Sequence, residues 1–130
     1  METWFKNRGQ DTRPLKPERF SSGKTIFHEG ESGNKMYVVK EGEVELSVHG
    51  TVLATLVTGG IFGEMVLIDR KPRSATARAR TSCELIPIDE ERFLALVHQN
   101  PSFALDVMKV LVQRLRMMDE KVSAIGNGER

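Results

Sequence analysis

The amino-acid sequence predicts a mainly β domain with flanking helices, an α+β arrangement that ends in a long C-terminal helix. From Lys24 to Ile88, short runs rich in Val, Ile, Tyr and Thr alternate with glycine turns, which is typical of strands joined by tight turns. After Asp89 the apolar residues recur at helical spacing instead. Regularly spaced short strands favour a barrel, a sandwich or a jelly roll.

Length and composition are those of one soluble globular domain. The chain has 130 residues, enough to bury a core without disulfides, and a formal net charge of +1, so no overall basic field indicates nucleic acid. Its single cysteine, Cys83, cannot form an internal bridge and suggests a reducing cytosol. No apolar run approaches the roughly 18 residues of a membrane span, and the first residues lack the apolar region of a signal peptide. We therefore expect a cytoplasmic domain.

Three parts follow from the composition along the chain. Residues 1–19 are polar and form an N-terminal segment that we expect to be partly helical. Trp4 and Phe5 in this segment either pack on the domain or form an exposed patch for a partner. The domain itself is expected at 20–125, with the β part at about 20–88 and the helices at about 89–125. A short tail, 126–130, completes the chain.

The predicted strands lie in five runs, and a further strand is expected after Arg73. The runs are KTIFHE, KMYVVKEG, EVELSVHG, TVLATLV and CELIPID. In the third run Val44 and Leu46 alternate with Glu43 and Glu45, which predicts one buried face and one wet face. The same alternation predicts that the alanines at 75, 77 and 79 share one face of the strand after Arg73.

Two helices are predicted after the last strand. Asp89 is a good N-cap for EERFLALVHQ, whose first turn is acidic and so suits the helix dipole. The Asn100-Pro101 step ends this helix and starts another, since proline is well tolerated in a first turn. The second helix is expected to reach about Ala124, where the glycines beginning at Gly126 end it.

The long helix carries two apolar sides. Phe103, Val107 and Val110 could cover the β domain. A second series with alternating steps of four and three has the spacing of a coiled-coil seam: Ala104, Met108, Leu111, Leu115, Met118, Val122 and Ile125. The series is either part of one wide stripe on the core or the seam of a two-helix dimer. The length of the helix favours the dimer, because it overhangs a small β domain.

The stretch FGEMVLIDRKPRSATARA, residues 62–79, holds the candidate ligand site. Gly63 lets the backbone approach a bound group, and the Glu64 carboxylate can accept a hydrogen bond from a hydroxyl. Arg73 offers a fork that matches two phosphate oxygens, and the amides around Ser74 and Ala75 are further donors. A nucleotide presents such a hydroxyl and such a phosphate. Each part also has a plain interpretation: a Glu64–Arg73 salt bridge, a turn glycine and the start of a strand.

FGEMVLIDRKPRSAT resembles the phosphate-binding cassette of the cyclic nucleotide-binding domain family. SSGKTIFHEGESGNKMYVVKEGEVELSV resembles the opening strands of that family, and CELIPIDEERFLALVHQNP its last strand and following helix. The likeness covers roughly Phe20 to Val122. It implies an eight-stranded β-roll or jelly roll flanked by helices. The nine-residue step from Glu64 to Arg73 resembles the kinase and channel versions of the cassette.

The resemblance also implies roles. Arg73 would bind the exocyclic oxygens of the cyclic phosphate, and Glu64 would accept the ribose 2′-hydroxyl. Gly63 would make a backbone contact, and Ser74 and Ala75 would donate amides. The predicted ligand-binding residues are Phe62, Gly63, Glu64, Met65, Arg73, Ser74, Ala75, Arg114 and Asp119. No Walker lysine motif is present, which argues against a nucleoside triphosphate.

The identity of the base depends on the last helix. In the family, a residue on this helix often caps the purine, and Met117, Met118 and Asp119 occupy the corresponding region. Asp119 could accept from guanine N1 and N2, and Ser74 could reach guanine N2; the plain alternative for Asp119 is a solvated helix residue. Arg114 either folds back over the ligand or lies on the surface. We take cAMP as the default ligand, with cGMP second.

The leading hypothesis is a non-enzymatic cyclic nucleotide sensor that signals by repositioning its C-terminal helices. The sequence contains no helix-turn-helix, kinase or channel segment, so the readout is expected to be an unknown effector protein or a homodimer. An excised regulatory domain of a larger kinase, channel or transcription factor is the alternative. No cofactor beyond the cyclic nucleotide, no metal, no membrane and no nucleic acid are expected as partners.

Two other classes are weaker. A cupin-like metalloenzyme needs clustered ligands, but His28, His49 and His98 are widely separated. A DNA-binding or scaffolding protein would use the basic residues of one segment, although no recognition helix accompanies them. These residues are Arg70, Lys71, Arg73, Arg78 and Arg80.

Overall fold

The computed structural model describes residues 13–128, with side chains as far as residue 117. Over this range it contains eight strands and three helices. The strands are β1 (Glu18–Phe20), β2 (Thr25–Phe27), β3 (Lys35–Glu41), β4 (Val44–Val48), β5 (Thr51–Leu56), β6 (Ile61–Phe62), β7 (Thr76–Ala79) and β8 (Cys83–Asp89). The helices are α1 (Met65–Ile68), α2 (Glu90–Gln99) and α3 (Pro101–Gly128). The predicted mainly β fold with C-terminal helices is confirmed.

The strands form two four-stranded sheets whose neighbours are all antiparallel. One sheet has the order β1-β8-β3-β6 and the other β2-β7-β4-β5. All five predicted runs contain a strand, and β7 follows Arg73 as expected. The two outer strands of the first sheet, β1 and β6, were not individually predicted.

The N-terminal segment enters the first sheet earlier than expected. β1 begins at Glu18, inside the predicted segment 1–19, and pairs Glu18 with Leu85 of β8. Residues 13–17 precede it without helix or strand. Trp4 and Phe5 lie outside the described residues, so their two interpretations stay open.

Strand β3 divides the interior into two cores. Its apolar run is buried on both faces, as a continuous run without alternation indicates. Tyr37 and Val39 point between the sheets, and Met36 and Val38 point towards the helices. The core between the sheets also holds Phe27, Val44, Leu46, Phe62, Ala77, Ala79, Cys83 and Leu85. Of the alanines predicted to share one face, Ala77 and Ala79 are fully buried.

The helices begin as the sequence predicts. The Asp89 side chain accepts a hydrogen bond of 3.0 Å from the Arg92 backbone N–H, which caps α2. α2 ends at Gln99, and Pro101 opens α3. Phe103 and Val107 of α3 are buried against β3 and β8, which fixes the long helix across the first sheet.

The exposed side of α3 differs from the predicted seam. Leu111, expected in the seam, packs against the core below the helix. The exposed apolar residues form an outer stripe of Leu105, Met108, Val112 and Leu115, with exposed fractions of 51%, 54%, 47% and 54%. Met108 and Leu115 of the predicted seam lie in this stripe, whereas Leu111 lies on the side of the helix that faces the sheet.

The long helix also continues further than expected. α3 runs through Gly126 to Gly128, so the predicted end near Ala124 and the predicted tail from 126 are wrong at those positions. Glycine lowers helix stability by only about 1 kcal/mol relative to alanine, so it does not by itself end a helix. No helix among residues 13–128 is long and apolar enough to cross a membrane.

Candidate functional site

The predicted ligand-binding stretch lies at a narrow cleft between the cassette, the second sheet and α3. Its lining comprises Phe27, Leu46, Val48, Leu53, Gly63, Glu64, Met65, Val66, Arg73, Ser74, Ala75 and Arg114. Seven of these residues belong to the predicted set. The cavity volume is about 40 Å³, room for a few water molecules. A nucleotide therefore needs side chains or α3 to move.

Local backbone geometry brings the cassette residues into the cleft. β6 ends at Phe62, and Gly63 turns the chain with φ of +76°, a conformation that glycine adopts without strain. Glu64 then occupies the N-cap position of the four-residue helix α1. Its carboxylate makes no cap bond and is free to face α3.

Glu64 is paired with an arginine from the long helix. The Glu64 side chain is 2% exposed. Arg114 Nη1 lies 3.0 Å from one oxygen of its carboxylate and 3.2 Å from the other. Arg114 Nη2 also donates to the Ile61 carbonyl. Burial lowers the pKa of Arg114, and the Glu64 charge partly opposes that shift. The pair thus ties the cassette to α3.

Arg73 is buried and held by backbone carbonyls. Its Nη1 donates to the Gly63 carbonyl at 3.1 Å and its Nη2 to the Lys35 carbonyl at 2.8 Å. The guanidinium carbon lies 3.9 Å from the centre of the Phe27 ring, a favourable cation–π geometry. Burial lowers the pKa of Arg73, while the charges of Tyr37, Glu31 and Glu64 oppose that shift.

One nitrogen of the Arg73 guanidinium has no partner among the described residues. This nitrogen, Nε, is buried. A buried unpaired donor costs about 1–3 kcal/mol, so a nearby anion would relieve a real penalty. No ion pair joins the described residues Glu64 and Arg73, and the simple salt-bridge interpretation of this pair is wrong. Glu64 is matched to Arg114 instead.

Two other residues of the predicted ligand-binding set, Ser74 and Phe62, differ in their exposure and contacts. Ser74 is exposed, and its hydroxyl donates to the Met65 sulfur at 3.3 Å. Phe62 does not line the cleft: it is fully buried, with its ring centroid 5.4 Å from that of Tyr37. Phe62 has a core role in this structure, because it pairs with Tyr37 on the inner face of the first sheet, and its predicted contact with a ligand stays a prediction. The Asp119 side chain lies outside the described residues.

Sequence reasoning missed the apolar wall of the cleft. Phe27 lies under Arg73, and Leu46, Val48 and Leu53 line the cleft from the second sheet. The alternation in β4 signals that Leu46 and Val48 share a face, but nothing in the sequence indicates that this face borders a ligand. The cleft thus combines an apolar wall with the buried Arg73, the partly buried Arg114 and one buried carboxylate.

The side chains give little support to a metal site or to a basic patch for nucleic acid. Within the described residues, no group of three or more His, Cys, Asp and Glu side chains could hold a metal ion. The basic residues of the cassette do not form one patch. Arg73 is buried, Arg70 pairs with Glu90 at 3.0 Å, and Arg80 pairs with Glu43 at 3.3 Å.

Comparison with known families agrees with this geometry. The model of the cyclic nucleotide-binding domain matches residues 17–100. A protein of Thermus thermophilus named cyclic AMP receptor protein is 37% identical over 105 residues, which are 77% of this chain and 49% of that protein. A Mycobacterium tuberculosis protein named CRP-like cAMP-activated global transcriptional regulator is 26% identical over 117 residues. The match covers 86% of this chain and 52% of that protein.

Solved structures show the same fold. The crystal structure of the Thermus thermophilus catabolite activator protein superposes with a TM-score of 0.73 at 34% identity, covering 86% of this chain and 55% of that one. A structure described as cAMP-bound PfPKA-R superposes with a TM-score of 0.74 at 27% identity. The superposition covers 82% of this chain and 36% of that one. The chain spans about half the length of the curated relatives that it matches.

Proposed function

The chain belongs to the cyclic nucleotide-binding domain family, and from this membership we propose that its cleft is a sensor site for a cyclic nucleotide, with cAMP as the default ligand and cGMP second. The observation that carries the proposal is the buried guanidinium of Arg73, with its unpaired Nε, in the same cleft as the buried carboxylate of Glu64. The first group suits a phosphate and the second a hydroxyl.

The proposed pose uses the polar side of the cleft for the cyclic phosphate and the ribose. Arg73 and the amides of Ser74 and Ala75 donate to the exocyclic phosphate oxygens. Glu64 accepts the ribose 2′-hydroxyl, and the Gly63 backbone lies alongside. The base packs on the apolar wall of Leu46, Val48 and Leu53, residues that line the cleft opposite the cassette.

The charge of the cleft supports a monoanion. Arg73 and Arg114 carry two positive charges, and Glu64 carries one negative charge. A cyclic phosphodiester bears a single negative charge and would bring the set to neutrality, which matters because an unbalanced charge is costly in a buried site. A nucleotide with more phosphate charge would leave an excess negative charge.

The choice of cAMP rests on relatives and on the cleft wall. The relatives from Thermus thermophilus and Mycobacterium tuberculosis are both named for cyclic AMP. The apolar side chains at positions 46, 48 and 53 offer no partner for guanine N1 or N2, and Ser74 already donates to Met65. Recognition of guanine would depend on Ser74 turning towards the base or on Asp119.

The proposed signal is a movement of the C-terminal helices. A cavity of about 40 Å³ cannot admit the ligand, and the Glu64–Arg114 pair crosses the cleft to α3. A ribose that engages Glu64 would compete with Arg114 or reorganise it, so ligand affinity would differ between positions of α3. That difference is what shifts a conformational population.

A second copy of the chain is the proposed occupant of the outer stripe. Its four apolar residues recur at steps of three, four and three along α3, the self-complementary spacing of a two-helix seam. An effector protein and the remainder of a larger regulatory protein are the alternative readouts. We propose no catalytic step for this domain.

Calorimetry with cAMP and with cGMP tests the ligand proposal. We expect the wild-type protein to bind cAMP and the Arg73→Ala variant to lose most of that affinity. Arg78→Ala is the matched control, because Arg78 is an exposed arginine on β7 outside the cleft lining. Absence of heat with either nucleotide, in folded protein stripped of carried-over ligand, would refute the proposal. Equal losses in the two variants would refute the role of Arg73.

A further inference from the structure

The loop between β2 and β3 wraps around Arg73. The backbone N–H of Arg73 donates to the Glu31 carbonyl at 2.8 Å, and the Arg73 carbonyl accepts from the Gly30 N–H at 2.8 Å. The carbonyl of Lys35, the first residue of β3 directly after this loop, accepts from Nη2 at 2.8 Å. Residues 28–35 thus hold both the backbone and the side chain of this arginine.

Gly33, at the centre of the loop, provides the space for the guanidinium. A Cβ at this position would lie 2.5 Å from Arg73 Nε, 2.6 Å from Cζ and 2.7 Å from Nη2. These contacts are far shorter than van der Waals distance, and all three nearest atoms belong to Arg73. The φ angle of Gly33 is outside the left-handed region, so backbone strain does not require glycine here. The requirement is the room for the arginine.

The guanidinium is therefore enclosed from two sides. The Phe27 ring lies 3.9 Å from the guanidinium carbon, and the guanidinium occupies the space beside Gly33 that a Cβ at that position would need. Carbonyls of Gly63 and Lys35 hold the two terminal nitrogens. An added methyl group at position 33 would force the planar group to leave at least one of these contacts.

We propose that Gly33 is a positioning residue that sets the plane and direction of the Arg73 guanidinium for anion binding. This inference rests on the proposed function for its ligand, but the position of the guanidinium is measurable without one. The colliding atoms are the end of a flexible side chain, so Gly33→Ala should displace Arg73 rather than unfold the β-roll. An alanine is otherwise compatible with the backbone at this position and would not lower stability by itself.

The experiment combines a spectroscopic readout with ligand binding. In the wild-type protein the Arg73 Nε–H resonance, assigned by its absence in Arg73→Ala, should be shifted by the Phe27 ring current and protected from exchange. In Gly33→Ala we expect this resonance to move towards the random-coil position and to exchange faster. The free protein should remain folded, with a melting temperature only several degrees lower, because at least one buried contact of Arg73 is lost. Affinity for cAMP should fall on the order of tenfold, the scale of one weakened charge-assisted contact.

Ser32→Ala is the matched control, because it changes the exposed neighbour in the same loop without adding an atom. It should leave both the resonance and the affinity unchanged. An unshifted Nε–H resonance with unchanged affinity in Gly33→Ala would overturn the inference, as would a Ser32→Ala variant that behaves in the same way as Gly33→Ala. If the wild type binds no cyclic nucleotide, the proposed function fails, and the resonance alone then decides whether Gly33 positions Arg73.

Discussion

Glu64 and Arg114, separated by 50 positions in the sequence, form a two-oxygen ion pair that connects the cassette to the long helix. The Glu64 side chain is 2% exposed and the Arg114 side chain 12%. Removal of either charge would destabilise the fold, since the other charge would remain in a largely buried position without a partner. The pair therefore makes the position of α3 sensitive to anything that engages Glu64.

We expect Arg114→Ala to lower the free energy of unfolding by about 3 kcal/mol, the lower end of the range for breaking a buried pair. Urea unfolding measures this loss. The control is Arg116→Ala, an exposed arginine on the same helix, which should change stability by no more than about 0.5 kcal/mol. The double variant Glu64→Gln/Arg114→Met should recover part of the loss. Equal stabilities of Arg114→Ala and Arg116→Ala would show that the pair contributes nothing.

Much of the fold follows from local patterns. Glycine turns and alternation predict most of the strands, and the capping chemistry of Asp89 predicts the start of α2. Of the seam predicted on α3, Met108 and Leu115 are exposed, but Leu111 packs against the core. The periodic pattern could not separate these residues, because it does not reveal which side of a helix meets the sheet.

Apart from Arg114, which the family resemblance suggested, the residues of the site that were predicted are neighbours in the sequence. Gly63, Glu64 and Arg73 lie in one stretch and all line the cleft. The contacts that hold Arg73 come from distant segments: the Phe27 ring, the Lys35 carbonyl and the space at Gly33. A carbonyl and a missing Cβ have no side-chain signature, so tertiary structure alone reveals them.

The charge balance of the cleft predicts discrimination between cyclic AMP and 5′-AMP. A phosphomonoester carries close to two negative charges at neutral pH, because its second pKa is about 6. It would leave the set of Arg73, Arg114 and Glu64 with an excess negative charge, so we expect 5′-AMP to bind at least roughly tenfold more weakly than cAMP. The gap should narrow at about pH 5, where the monoester is mostly a monoanion.

Competition of each nucleotide against a fluorescent cyclic nucleotide at about pH 5 and about pH 8 measures this gap. The cyclic phosphodiester does not titrate in that range and serves as the internal control for changes in the protein. A ratio of affinities that is identical at both pH values would show that shape, and not charge, excludes 5′-AMP.

Alkaline pH should destabilise the fold through groups in and beside the first sheet. Burial raises the pKa of Cys83 above its ordinary 9.0 and that of Tyr37 above its ordinary 10.0. The hydrogen bond to Glu18 raises the pKa of Lys35 above 10.5 despite partial burial. In each case the folded protein keeps a proton that the unfolded chain releases. The free energy of unfolding is therefore maintained below the ordinary pKa and falls as pH rises through the folded-state pKa.

Urea midpoints from about pH 8 to about pH 11 measure this loss, which should begin near pH 9 with Cys83. In Cys83→Ala the onset should move to about pH 10, where Tyr37 and then Lys35 contribute. In Tyr37→Phe the urea midpoint should fall less steeply above about pH 10. A wild-type midpoint that rises between about pH 9 and pH 11 would contradict the assigned directions.

The outer stripe of α3 predicts a dimer that a single charge can break. Leu115 is 54% exposed in the single chain. Leu115→Glu should therefore change the free energy of unfolding of the monomer little, but it would place a carboxylate in the proposed seam. Sedimentation of the wild type should give the mass of a dimer and that of the variant the mass of a monomer. Gln113→Glu, an exposed position on α3 outside the stripe, adds the same charge and should remain dimeric. A monomeric wild type, or a Leu115→Glu variant with unchanged mass, would exclude this seam.

Leu111→Glu should behave differently from both variants, because Leu111 packs against the core. It should lower the free energy of unfolding whatever the oligomeric state. The comparison therefore distinguishes the side of the helix that faces the core from the exposed side.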